Sequence, residues 1–234
     1  MNESFATVAF ADLAGFTALT EAHGDRDAVG IVETFEQMTR QALAGQTRLV
    51  KLIGDAVMLA GPNATDVVRV LLDLARETDA MPNFPLLSAG AHEGSVVERD
   101  GDLFGTTVNI ASRLASLADP GQVLVSRTIA NRASADGIAV VRDVGVRSLR
   151  NVSTPVRVFE LIRADADVIG WTIDPVCRMR VDPARRVVLI ADEREVWFCS
   201  ERCAARFSSH PDRFGATDDL RSPGSIASEP PPES

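Results

Sequence analysis

Two acidic residues, Asp12 and Asp55, stand where they could do chemistry together. Asp12 lies near the end of the apolar run Phe5 to Ala14, which reads as a buried strand. Asp55 follows Gly54 between two apolar runs spanning Arg48 to Ala60, the pattern of a hairpin with an acid at its tip. If those strands are neighbours in one sheet, the carboxylates can bridge two hard cations, one to activate a hydroxyl and one to hold phosphates. Gly15 permits close backbone approach just after Asp12, and the helix start around Phe16 and Thr17 offers unpaired N–H groups to phosphate. Taken singly, each would more often be an ordinary acid, Asp12 of a loop and Asp55 of a turn.

Asn109 and Arg113 are four residues apart in a stretch from Gly105 to Leu117 that reads as a helix, so both project from one face. Val108, Ile110, Ala111 and Leu114 already supply an apolar face. That leaves the amide and the guanidinium free for a cleft, where they could grip the oxygens of a phosphorane-like transition state. A third group is made of sulfur. Cys177, Cys199 and Cys203 are the chain's three cysteines, and an odd, clustered set suggests metal ligation or redox chemistry rather than a disulfide framework. Cys199 and Cys203 fall at a helix start with both thiols able to face one ion, and Cys177 would close the site from a preceding turn.

The elements that must position these groups alternate between strand and helix. Helices are expected from about Asp27 to Ala44, Asn63 to Arg76 and Gly105 to Leu117. A strand pair around Gly90 and Gly94 is expected over Pro85 to Val97, a strand over Gln122 to Val125, and closing strands over Ile138 to Val146 and Val156 to Ile162. Such alternation predicts an α/β sandwich of ferredoxin-like type. The expected organisation is a domain over 1–162, a linker over 163–173, a small module over 174–214 and a disordered tail over 215–234 rich in Ser, Pro, Gly and acids.

The 234 residues suffice for one ordinary domain and a small second one, and 45% hydrophobic content is that of a globular protein. A formal charge of −9 argues against a nucleic-acid partner. No apolar run reaches the roughly 18–20 residues that span a bilayer, and the N-terminus lacks a basic and apolar leader. No membrane partner and a cytoplasmic location are therefore expected.

Phe10-Ala-Asp-Leu-Ala-Gly-Phe-Thr17, Lys51-Leu-Ile-Gly-Asp55 and Asp102-Leu-Phe-Gly-Thr-Thr-Val-Asn-Ile-Ala-Ser-Arg113 resemble the catalytic motifs of class III nucleotidyl cyclases. The resemblance covers roughly Ser4 to Ile162. It implies that Asp12 and Asp55 hold two Mg(II) or Mn(II) ions, that Asn109 and Arg113 are the catalytic transition-state pair, and that Lys51 and Asp102 select the purine. A Lys donor and an Asp acceptor complement the N1 acceptor and 6-amino donor of adenine, so the implied substrate is ATP rather than GTP. Gly15, Phe16 and Thr17 fall in the motif beside the phosphates, and Arg150 stands where relatives often place a phosphate-contacting lysine. In the family the site forms between subunits, which implies a homodimer. His23 and His92 are expected to be structural or surface residues.

The stretches Asp174-Pro-Val-Cys-Arg-Met179 and Val196-Trp-Phe-Cys-Ser-Glu-Arg-Cys-Ala-Ala-Arg-Phe207 resemble a YHS domain, a small metal-associated fold. Thiolates favour Zn(II) or Cu(I) over Mg(II). Arg178 replaces the usual glycine, and His210 is a candidate fourth ligand for which a surface position is the stronger expectation. The pairing of the two modules implies that a soft metal could adjust cyclase output.

Overall fold

The computed structural model describes residues 2–163, 172–191 and 194–214; the expected tail and most of the expected linker lie outside them. The first strand, β1 (Asn2–Leu13), leads through Gly15 into helices α1 (Phe16–His23) and α2 (Asp25–Ala42). The hairpin β2 (Arg48–Ile53) and β3 (Ala56–Gly61), helix α3 (Ala64–Ala80) and strand β4 (Leu87–Arg99) follow. These strands run in the order β2-β3-β1-β4, all antiparallel, which is the ferredoxin-like core that the alternation predicted. Beyond β4 come the short strand β5 (Asp102–Phe104), α4 (Thr106–Leu117), β6 (Val123–Ser126), α5 (Arg127–Ala135), β7 (Val140–Arg147) and β8 (Val156–Ile162). They extend the sheet as β4-β6-β8-β7, with β5 paired to β4.

Strand alternation sends the two faces of β1 to different cores. Ala9, Ala11 and Leu13 join Phe35, Met38, the apolar face of α3, Ile129 and Ala130 in the larger one. Val8, with Phe10 beside it, faces the opposite way toward Met58, Val96, Leu103 and Ala111 of α4. Asn63 caps α3 by accepting a hydrogen bond from the Thr65 N–H at 2.9 Å. Gly24, at φ +91°, separates α1 from α2, so the helix expected from Asp27 has a short neighbour in front of it.

The expected strand pair over Pro85 to Val97 is one continuous strand. Gly90 and Gly94 are extended rather than turning, and their missing side chains serve packing. A Cβ at Gly90 would overlap the backbone of Leu114 and Ala115, and one at Gly94 would meet the Thr107 hydroxyl at 2.6 Å. These two glycines let α4 lie directly on β4. Helix α5 has no counterpart among the expected elements; it buries Ile129, Ala130 and Ala133.

The C-terminal segment forms a hairpin of β9 (Val187–Ala191) and β10 (Arg194–Phe198), helix α6 (Glu201–Ser209) and a 3-10 turn (Pro211–Arg213). Its apolar residues Val176, Val196, Phe198 and Phe207 share one cluster with Leu19, Ala22 and Ala28 of α1 and α2. Ile173 packs on Leu86, and the backbone N–H of Arg180 donates to the Phe84 carbonyl at 3.3 Å. The segment is therefore built onto the sheet domain through α1 and the strand entry at Phe84 to Leu86.

Candidate active site and cysteine centre

Asp12 is the penultimate residue of β1 and pairs with Ala56 of β3, which places it beside Asp55 at the β2–β3 turn. Gly54 makes that turn at φ +63°. Burial first, and then the neighbouring Asp55 carboxyl, push the Asp12 carboxyl up to about 7. Two neighbouring half-buried carboxyls repel one another when both are charged, and a divalent cation fits such a pair because it removes the repulsion.

Lys51 lies opposite Met58 and Asp12 is two residues from Phe10, so both stand on the sheet face that α4 covers. Lys51 Nζ donates to the Asp102 carboxylate at 2.6 Å, joining β2 to β5. That hydrogen bond, with the Leu103 N–H also donating to the carboxylate at 2.8 Å, holds Asp102 below the usual carboxylate range. The structure thus brings Asp12 to Asp55 and Lys51 to Asp102.

Asn109 and Arg113 project from α4, the first exposed and the second half-buried. Among the described residues, neither side chain has a hydrogen-bond or ion-pair partner, and nothing of that kind links them to the four residues above. Arg150 is exposed in the β7–β8 connection, next to Leu149, which packs on Ile110 and Leu114 of α4. Phe16 packs at the edge of the large core, and Gly15 and Thr17 are exposed around the start of α1. Gly15 is left-handed, at φ +75°.

His92, half-buried on β4, bonds through Nδ1 to the Ser126 hydroxyl at 2.8 Å, and burial lowers its pKa. His23, expected as a structural or surface residue, has a neighbourhood that the sequence did not indicate. It closes α1 and stands against the cysteines, with Nε2 3.6 Å from the Sγ of Cys199 and 3.6 Å from that of Cys203. His210 is exposed at the end of α6 and outside this group. All three cysteines are free thiols. Hydrogen bonding with Cys177 and Cys199 holds the Cys203 thiol low, while hydrogen bonding with Cys199 and Cys203, with burial, pushes Cys177 up.

Asp174 is a second residue whose part the sequence reading did not assign. Fully buried, it accepts hydrogen bonds from the N–H groups of Val176, Cys177 and Cys199 at 2.8, 3.3 and 2.8 Å, tying the two cysteine loops together. Burial pushes its carboxyl up to about 6. Its position three residues before Cys177, ahead of a proline, was the only signal. Arg178 forms the turn that its replacement of glycine placed in question, and it does so in the left-handed region at φ +64°.

Among the described residues, no helix is long and apolar enough to cross a membrane. The family described as the adenylate and guanylate cyclase catalytic domain matches residues 2–154, ending before the cysteine segment. A pH-sensitive adenylate cyclase of Mycobacterium tuberculosis is 38% identical over 161 residues, covering 67% of this chain and 40% of the relative. An adenylate cyclase of Streptomyces coelicolor is 40% identical over 124 residues, 53% of this chain and 32% of the relative. The chain spans about two fifths or less of the length of these curated relatives. The solved adenylyl cyclase CyaB of P. aeruginosa shares the fold with a TM-score of 0.60 at 21% identity, covering 71% of this chain and 98% of that one. A cyclase structure from Silicibacter pomeroyi does so with a TM-score of 0.61 at 23% identity, covering 69% and 98%. With the motifs, the sheet order and the family match in agreement, the chain belongs to the adenylate and guanylate cyclase catalytic domain family.

Proposed function

We propose that the chain is an adenylate cyclase that converts ATP to 3′,5′-cyclic AMP and pyrophosphate at a site shared by two copies. The observation that carries the reading is that one chain presents both halves of such a site, the neighbouring carboxyls Asp12 and Asp55 and the Lys51–Asp102 pair joined at 2.6 Å. Mg(II) or Mn(II) held by Asp12 and Asp55 would supply Lewis-acid activation of the ribose 3′-hydroxyl and neutralise charge on the triphosphate. Lys51 Nζ donates to adenine N1, and Asp102 accepts from the 6-amino group. N–H groups at the start of α1, after Gly15 and around Phe16 and Thr17, face the phosphates.

In the reaction a bond forms between the 3′-oxygen and the α-phosphorus, the bond from that phosphorus to the bridging oxygen breaks, and the hydroxyl proton passes to solvent as pyrophosphate leaves. Arg113 stabilises the charge of the phosphorane-like transition state, Asn109 orients the ribose, and Arg150 holds the triphosphate. The lack of a partner for Asn109 and Arg113 among the described residues supports a homodimer, in which one copy presents Lys51, Asp102, Asn109 and Arg113 to the carboxylates Asp12 and Asp55 of the other. Leu52, Ile53 and Phe104, 40%, 46% and 49% exposed on the strands that carry Lys51 and Asp102, are apolar surface that a second copy would cover. The C-terminal segment is read as a YHS domain that adjusts this output in response to a soft metal.

Purified protein incubated with ATP and Mn(II) or Mg(II) is expected to yield cyclic AMP. Absence of product with either ion, from protein that is folded and dimeric, would overturn the enzyme reading and leave a nucleotide-binding module.

A further inference from the structure

His23 belongs to the cyclase domain, yet its ring completes the cysteine cluster. The thiols are 3.5 Å apart for Cys177 and Cys199 and 3.7 Å apart for Cys199 and Cys203, and all four ligand atoms lie within 4.8 Å of one another. A tetrahedral ion with metal–sulfur bonds of about 2.3 Å and metal–nitrogen bonds of about 2.0–2.1 Å requires edges of about 3.8 Å between sulfurs and about 3.6 Å between sulfur and nitrogen. The two sulfur–sulfur and two sulfur–nitrogen edges measured here match those values to a few tenths of an ångström. They are far longer than the roughly 2.05 Å of a disulfide.

We propose that His23, Cys177, Cys199 and Cys203 form a closed Cys3His site for one Zn(II) ion, which fastens the C-terminal segment to helix α1 of the cyclase domain. Four protein donors within 4.8 Å of one another suffice to fill a tetrahedral shell with no open position, which is the arrangement of a structural rather than a catalytic zinc. The surroundings are already set for it. Asp174 holds the backbone at Cys177 and Cys199, and Ser200 accepts from the Cys203 N–H at 3.3 Å. Arg202 donates to the His23 carbonyl at 3.1 Å and Arg206 to the Glu21 carbonyl at 2.5 Å, bringing positive charge beside a centre that three thiolates and Zn(II) leave at −1.

The location gives the ion a second consequence. Helix α1 starts at Phe16, just after Asp12 and Gly15, and ends at His23. Zinc would fix its far end while Arg178, the residue after Cys177, rests on Gly15 at its near end. Both ends of the helix that follows the catalytic carboxylate would then be anchored to the C-terminal segment. The zinc assignment itself does not depend on the cyclase reading, and its test is metal binding rather than activity.

The test uses the full chain, reduced and stripped of metal, titrated with Zn(II) and separately with Co(II) as a spectroscopic probe. One ion per chain is expected, with the visible spectrum of tetrahedral Co(II) bound to thiolates. His23→Ala should weaken Zn(II) binding by more than the roughly 10–100-fold that loss of an outer-shell partner costs, and His210→Ala should leave it unchanged. His23→Cys should bind tightly and add thiolate-to-cobalt absorption. Zn(II) should slow amide exchange in residues 16–23 as well as around Cys177 and Cys199. Equal Zn(II) affinity for wild type and His23→Ala, protection confined to the C-terminal segment, or no binding by the reduced wild type would each overturn the proposal. Should His23→Ala fail to fold, His23→Cys decides: failure of that folded variant to bind Zn(II) counts against the site.

Discussion

Gly15 and Arg178 touch across the two parts of the chain: a Cβ placed on Gly15 would overlap both the Cβ and the Cγ of Arg178. Both residues are left-handed, at φ +75° and φ +64°. The turn that follows Asp12 is thus shaped by a residue more than 160 positions away in sequence, and the contact can be tested by exchanging bulk across it.

Gly15→Ala should destabilise the protein by about 2–4 kcal/mol, combining the left-handed penalty of about 1–2 kcal/mol with the overlap. Arg178→Gly alone should be tolerated, because glycine accepts φ +64° at no steric cost. In the double variant the overlap is gone and only the backbone penalty stays. Denaturant melts of the four proteins would read a coupling of about 1 kcal/mol or more, whereas strict additivity would mean that the contact is absent in solution.

Lys51 and Asp102 separate a binding role from a structural one. Their side chains are 41% and 30% exposed, so the ion pair contributes no more than about 1 kcal/mol to stability. Lys51→Ala should therefore melt close to wild type. Its kcat/KM for ATP should nevertheless fall by roughly 10–100-fold, with GTP discriminated against less, because a donor to the purine edge is lost. Steady-state kinetics with both nucleotides check this, and unaltered kinetics would assign the pair to the fold alone.

Stability without metal should depend on pH through Asp12. Its carboxyl is pushed up to about 7, above the usual value near 3.9 for an unfolded chain, so the folded state binds the extra proton between those limits. This contribution is fully present at low pH and is lost as pH rises through about 7. Melting temperatures of metal-free protein at pH 5 and pH 8 should show it, and Asp12→Asn should flatten it. Saturating Mn(II) should recover the loss at pH 8 by replacing the proton.

Asp12→Ala and Asn109→Ala should each be inactive and each remain folded. Mixed after subunit exchange, they should recover up to about a quarter of wild-type activity, since a mixed dimer, expected for half the molecules, has one of its two sites intact. Cyclic AMP assays on the mixture, with exchange verified by mass, decide the matter. No recovery despite verified exchange would count against a site in which Asp12 and Asn109 come from different copies.

The candidate site residues stood out in the chain because they carry local signals. Asp12 ends an apolar strand, Asp55 follows a turn glycine, and Asn109 and Arg113 lie one helical turn apart. Alternation of strand and helix was enough for the ferredoxin-like core, since period 2 and period 3.6 are properties of short segments. Gly90 and Gly94 misled for the same reason. A glycine inside an apolar run reads locally as a turn, and only the approach of α4 to β4 turns it into a packing requirement. Helix α5 escaped notice because its nine residues bury only three side chains, too few to establish a period. The fourth partner of the cysteines lay beyond any local rule. His23 is 176 residues from Cys199, and no spacing pattern connects a helix end to a loop so far along the chain. Composition narrowed the choice to three histidines. Which of them meets the thiols was decided by the burial of Phe198 and Phe207 against Leu19 and Ala22, a long-range contact that exists only once both parts are folded.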